Sequence, residues 1–336
     1  ELIIAAAGLT VGQATARSMR GLREPGEAPI DDATLAEAGI ADLREWIDRG
    51  ELTVTELVQA ARRRVDVLDP FFGAVIEMNP DASAIASGLD NDLARGEARG
   101  SLHGIPILLK DVIATGDRMR TTSGALALEE NDVVEDATIV RRLREAGAVI
   151  LGKTNMTEWS NVRAVGQTAG WSDRGRQTRN PYDPTMSPWG SSSGSAAAVA
   201  LGYAPAALGS ATNGSIVCPA AACGVVGMKP TVGLVSRVGL MPVTWTLDSP
   251  GPITRTVADA AEVLNVIAGY DPEDPAYGVF RWAAPSSMAG GLGAEVSGDV
   301  DYTAALDADG LRGARLGICW QLWGMDPDAD AVGMAV

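Results

Sequence analysis

Short apolar runs and helix-patterned segments take turns along this chain from Ile105 onward. "IPILLK" (105–110) reads as a strand, "TIVRRLREAGA" (138–148) as a helix and "AVILG" (148–152) as a second strand. A sheet whose strands are joined by helices can bury both of its faces, so this order predicts an α/β sheet with helical cover. Helices are also predicted over "SAAAVALGY" (195–203) and "TVADAAEVLNVIAG" (256–269), with glycine-dense connections between them. Upstream, two amphipathic helices are expected. The first carries Leu35, Ile40, Leu43 and Trp46. The second starts at Thr53, where Glu56 completes a capping box, and places Leu57, Ala60, Ala61, Val65 and Leu68 at helical spacing. There is no internal repeat and no low-complexity tract.

With 336 residues, 46% of them hydrophobic, the chain can bury a sizeable core. Acidic residues outnumber basic ones by 43 to 27, a formal charge of -16 that repels phosphate backbones and anionic lipid surfaces. Nucleic acid and membrane partners are therefore not expected, and oligomeric state leaves no readable trace. Cys218, Cys223 and Cys319 cannot form a disulfide framework, and no Cys/His spacing suits a metal. No cofactor is expected.

At the N-terminus, "LIIAAAGLTVGQATA" (2–16) has an apolar core followed by Ala14-Thr15-Ala16, the small-residue pattern of a signal-peptide cleavage site. It reads as the remnant of an export signal, or as a short helix; the first reading makes the protein exported, the second leaves it cytoplasmic. Residues 17–33 form a linker rich in proline, glycine and charge, and residues 34–336 are read as one domain.

"GAVILGKT" (147–154) satisfies the phosphate-loop pattern letter for letter. A phosphate loop follows a strand and turns tightly around its ligand, whereas Ala-Val-Ile-Leu between the two glycines favours being the strand. Nucleotide binding is not expected.

"SPWGSSSGSAAAVA" (187–200) places serines among glycines ahead of a small-residue helix, and a serine nucleophile needs a base. The chain has one histidine, His103, in "LHGIP". Its setting suits a turn or packing residue, although spacing does not exclude a Ser-His-Asp triad. Lys110 is the alternative base. Four of the five residues before it are large and apolar, and a desolvated ammonium loses its proton more readily. The competing reading is a solvated strand-end lysine paired with Asp111. A third segment, "GSATNGSIVCP" (209–219), has a glycine-rich turn at Gly209 and Gly214 that could expose Ser215 and aim successive backbone N–H groups at one point.

In order and spacing, "LHGIPILLKD", "VILGKTNMTEWSN", "GSSSGSAAAVA", "GSATNGSIVCPAAACGVVGMKPTVGLVSR" and "DSPGPITRTVADAAEVL" resemble the amidase signature family of serine hydrolases, from about Thr34 to about Gly317. The resemblance implies a mixed β-sheet core covered by helices on both faces. It also implies a Ser–cis-Ser–Lys triad, with Ser215 as nucleophile, Ser191 as the bridging serine and Lys110 as base. The oxyanion hole would be the N–H groups of Thr212, Asn213, Gly214 and Ser215, and Ser192 and Ser193 would be turn and helix-capping residues. Ala211 and Val217 stand where the family often has Asp and Arg, which leaves open how the nucleophile loop is braced.

"GWSDRGRQTRNPY" (170–182) and the serine block look most like the bacterial peptide amidases, which release ammonia from C-terminal peptide amides. Other family activities are the hydrolysis of fatty-acid or aryl amides and that of the glutaminase component that works on misacylated tRNA, the last disfavoured by an export-like N-terminus. The substrate expected is a small-molecule or peptide amide. Family members usually continue past a strand such as "ARLGICW" (314–320), so the sequence looks truncated at its C-terminus, and a catalytically silent fragment is the competing reading.

Overall fold

A computed structural model describes residues 30–276 and 300–315. The expected signal remnant (1–16), most of the linker and most of the 314–320 strand lie outside the described residues. The first predicted helix is two, α1 (Asp32–Glu37) and α2 (Ile40–Asp48), broken at Ala38, whose backbone is extended. The break has a tertiary cause: the Asp259 carboxylate accepts from Ile40 N at 2.7 Å and fixes the second helix start. α3 (Val54–Phe72) begins at Thr53 with the expected capping box to Glu56 and ends at Gly73 in a left-handed conformation.

There follow β1 (Val75–Met78), α4 (Ala82–Ala94), β2 (Pro106–Lys110), α5 (Thr138–Glu145), β3 (Val149–Thr154) and a small hairpin, β4 (Trp171–Ser172) with β5 (Arg176–Gln177). The chain continues through α6 (Ser193–Ala200), β6 (Ala206–Ala211), α7 (Val217–Ala222), β7 (Val226–Gly227), β8 (Ser249–Thr254) and α8 (Val257–Ile267). Six strands form one mixed sheet in the order β1-β3-β2-β6-β8-β7. β2 runs parallel to β3 and β6, while β1, β7 and β8 are antiparallel to their neighbours. Every residue of β2, β3 and β8 is buried, as expected of strands covered by helices on both faces.

"VILGKT" is β3 itself, so the phosphate-loop pattern here is a strand. Gly209 is also a strand residue, not part of a turn. A Cβ there would come within 2.8 Å of Ser192 Oγ, so close packing explains this glycine.

Candidate active site

Because β2 and β6 run parallel, their C-terminal ends meet at the same edge of the sheet, where an open α/β sheet offers its ligand crevice. β8 is antiparallel to β6, with Ala211 opposite Ser249, so the start of β8 arrives at that edge too. Lys110 ends β2, Ser210 and Ala211 end β6, and Asp248 immediately precedes β8. The serine block leading into α6 completes the edge, with a cis peptide between Gly190 and Ser191.

Lys110 is fully buried. Its Nζ donates to Ser191 Oγ at 2.6 Å, to Ser210 O at 3.0 Å and to Ser210 Oγ at 3.1 Å. Burial lowers its pKa to about 7, partly opposed by the Asp248 carboxylate, so a large share of the amine is uncharged near neutral pH. The alternative pairing with Asp111 is not what forms. Asp111 accepts from the Thr122 hydroxyl and from Gly124 N; burial raises its pKa, and the lysine that partly opposes this is Lys153.

His103 is buried at the other end of β2. Its Nδ1 accepts from Arg99 N at 3.1 Å, which leaves Nε2 as the N–H facing Leu89 O at 3.1 Å. Both ring nitrogens are occupied by backbone, and the residue packs; it is not a base for this serine cluster.

Ser191 is 1% exposed, and its carbonyl accepts from Thr157 N at 3.0 Å. Ser192 and Ser193 differ from the expected capping roles. Ser192 occupies the N-cap position of α6, but its hydroxyl bonds to the Ser210 backbone, and the Ser193 hydroxyl donates to Trp189 O. Ser192 and Ser193 thus lock the helix start to the end of β6 and to the preceding loop, while Ser191 is tied to Lys110 and Thr157.

Ser215 opens the turn into α7 and borders the same cleft as Ser191, Ser210, Thr212 and Asp248. Its carbonyl accepts from Ser192 N at 3.1 Å, which ties the two serine segments together. Among the described residues no hydrogen bond joins Ser215 Oγ to Ser191 Oγ. Of the expected oxyanion donors, Thr212 and Ser215 border the cleft, Asn213 is exposed, and Gly214 N donates to Asn213 Oδ1 at 2.7 Å.

The opposite wall is apolar: Leu240, Met241, Pro242, Val243 and Trp245. Arg237 borders the cleft beside it, with its Nε and Nη2 on Asp274 and its guanidinium 5.2 Å from the centre of the Trp245 ring. At the rim, Ser160 sits within three consecutive left-handed residues, Trp159 to Asn161. Ser210, Asp248, Arg237 and Ser160 are the site residues that the sequence did not single out. Asp248 does open one of the resembling segments, "DSPGPITRTVADAAEVL", which was the available signal.

Cys218 and Cys223 are free thiols. Among the described residues no cluster of His, Cys, Asp and Glu is arranged to hold a metal ion, and no helix is long and apolar enough to cross a membrane.

Residues 56–328 match the family model described as Amidase. The crystal structure of native peptide amidase from Stenotrophomonas maltophilia superposes with a TM-score of 0.80 at 49% identity, covering 89% of this chain and 60% of that one. A probable amidase from Arabidopsis thaliana is 43% identical over 85% of this chain and 54% of its own length. A component of the glutamyl-tRNA(Gln) amidotransferase of Chloroflexus aurantiacus is 41% identical over 89% of this chain and 55% of its own. The chain spans about half the length of the curated relatives it matches.

Proposed function

This chain belongs to the amidase family, and we propose that it hydrolyses the C–N bond of carboxamides, with C-terminal peptide amides as substrates and ammonia as the leaving group. The observation that carries the reading is a fully buried lysine 2.6 Å from Ser191 Oγ, with Ser191 lining a cleft that Ser215 also borders.

A neutral amine has two N–H bonds and one lone pair. Once Lys110 has lost a proton, its two remaining N–H bonds serve Ser210 O and Ser210 Oγ, and the lone pair takes the place of the N–H that reached the Ser191 hydroxyl. Lys110 then takes the Ser191 proton while Ser191 takes that of Ser215, and Ser215 Oγ attacks the amide carbon. The Ser191–Ser215 hydrogen bond closes when substrate enters, since catalytic hydrogen bonds are often long in unliganded sites. Negative charge on the carbonyl oxygen falls to the N–H groups of Thr212, Asn213, Gly214 and Ser215, the Asn213 side chain releasing the Gly214 amide. On collapse, the proton passes back through Ser191 to the nitrogen, the C–N bond breaks and ammonia leaves. Water then attacks the acyl-enzyme, loses its proton along the same path, and frees Ser215.

The choice of peptide amides rests on the 49% identity to the S. maltophilia peptide amidase and on the apolar wall, which suits an uncharged residue next to the amide. The test is ammonia release from an N-blocked peptide amide by this chain and by Ser215→Ala. Release abolished in the variant is expected; release that persists sinks the assignment of the nucleophile. Turnover of free glutamine in preference to the peptide amide would move the substrate class toward that of a glutaminase.

A further inference from the structure

With alanine at position 211, the nucleophile loop needs another brace, and Asp248 offers one. Thr212 Oγ1 donates to Asp248 Oδ1 at 2.6 Å, while Val243 N and Thr244 N donate to Asp248 Oδ2 at 2.7 and 2.8 Å. One carboxylate therefore joins the loop that carries the oxyanion donors to the loop that forms the apolar wall. The register of β6 with β8 is what brings them together, since Ala211 faces Ser249 and the next pair outward is Thr212 and Asp248. The Asn213 side chain bonds within the loop and supplies no such link.

We propose that Asp248 is a positioning residue that fixes the oxyanion loop against the substrate-facing wall of the cleft, a role that rests on the amidase reading above. Its charge adds a second effect. Asp248 is the carboxylate that opposes the desolvation of Lys110, and Lys229 at the end of the β7 segment also feels it. Arg237, the other charged group bordering the cleft, is held in its ion pair with Asp274. Removing the negative charge leaves Lys110 still easier to deprotonate.

Two variants separate the effects. In Asp248→Asn, Oδ1 can accept from the two wall amides while Nδ2 donates to Thr212 Oγ1, so the bridge survives and the charge goes. Thr212→Val removes the bridge and keeps the charge. The first readout is amide hydrogen exchange of the 336-residue chain, which needs no substrate. Asp248→Ala and Thr212→Val should both raise exchange in segments 212–218 and 240–247, and Asp248→Asn much less. The second is the rate at which a fluorophosphonate labels Ser215 across pH. That rate should fall about a hundredfold in Thr212→Val, the cost of a misplaced donor set, with its acid limb unmoved. In Asp248→Asn the acid limb should move to lower pH.

Unchanged exchange at 212–218 in both bridge-breaking variants overturns the brace. A wild-type chain labelled at Ser215, with Thr212→Val and Asp248→Ala labelled equally fast, overturns the positioning role alone. A wild-type chain not labelled at Ser215 overturns the serine-hydrolase reading and the positioning role with it.

Discussion

Lys110 can act as a base only while uncharged, and burial supplies that condition. The active form is the deprotonated one, so kcat/KM should rise about tenfold per pH unit below the lysine pKa and level off above it. A rate that falls steadily above pH 7 in a folded enzyme would count against the assignment. Lys110→Ala and Ser215→Ala should each remove turnover by several orders of magnitude, and Ser191→Ala should be comparably severe. His103→Ala should leave kcat nearly unchanged, because both its ring nitrogens face backbone far from the serines. Lys110 could be picked out in sequence because the apolar run before it forecasts desolvation. Ser210 and Asp248 had no such local mark; each matters through a hydrogen bond to a residue distant in the chain.

α6 shows why small residues crowd behind the serine block. Seven of its residues, Ser193 to Val199, are buried, so the helix lies within the core with no solvent face. A Cβ at Gly194 would meet Ala74 O at 2.3 Å, Asn155 O at 2.4 Å and Asn155 N at 2.7 Å, all backbone atoms held by the sheet. Gly194→Ala should therefore destabilise the protein by about 1–3 kcal/mol or more, measured by urea unfolding, and displace Ser191 enough to depress activity as well. At the exposed end of α3 the stakes are smaller. Thr53→Ala should cost about 1 kcal/mol through loss of the capping box, with turnover unaffected. The Thr53 cap was legible because its partners are three residues apart; the break between α1 and α2 was not, because the group that fixes it, Asp259, is 219 residues from Ile40 along the chain.

Across the sheet as a whole, two buried lysines point to opposite faces. Lys110 pairs in register with Thr154, whose hydroxyl meets Ser195 of α6, whereas Lys153 pairs with Leu109 and reaches Ile113 O and Thr121 Oγ1 on the other side. Burial lowers the pKa of Lys153 to about 8, beside about 7 for Lys110. Unfolded lysines titrate near ~10.4, so above these values the unfolded chain holds protons that the native chain lacks, and stability rises with pH. The slope approaches about 1.4 kcal/mol per pH unit for each group once its native form is neutral. Cys223 opposes this above about pH 9, because burial pushes its thiol up to about 12. The urea midpoint should therefore climb between pH 7 and pH 9, and climb less in Lys110→Met. An equal climb in that variant would show that Lys110 stays charged in the native state.

Local order in the chain was enough for the alternation of strands and helices, the cap at Thr53, the strand hidden in "GAVILGKT" and the three serine- and lysine-bearing segments, since each depends on neighbours within a few residues. The order of the strands was not contained in any local pattern. It follows from long-range pairing, and that pairing brings the end of β2, the end of β6 and the start of β8 to one edge. Which of Lys110 and His103 lies beside the serines was decided the same way. Both sit beside one short strand, but one end of β2 faces Ser191 and Ser210, and the other is enclosed by the backbone of Leu89 and Arg99.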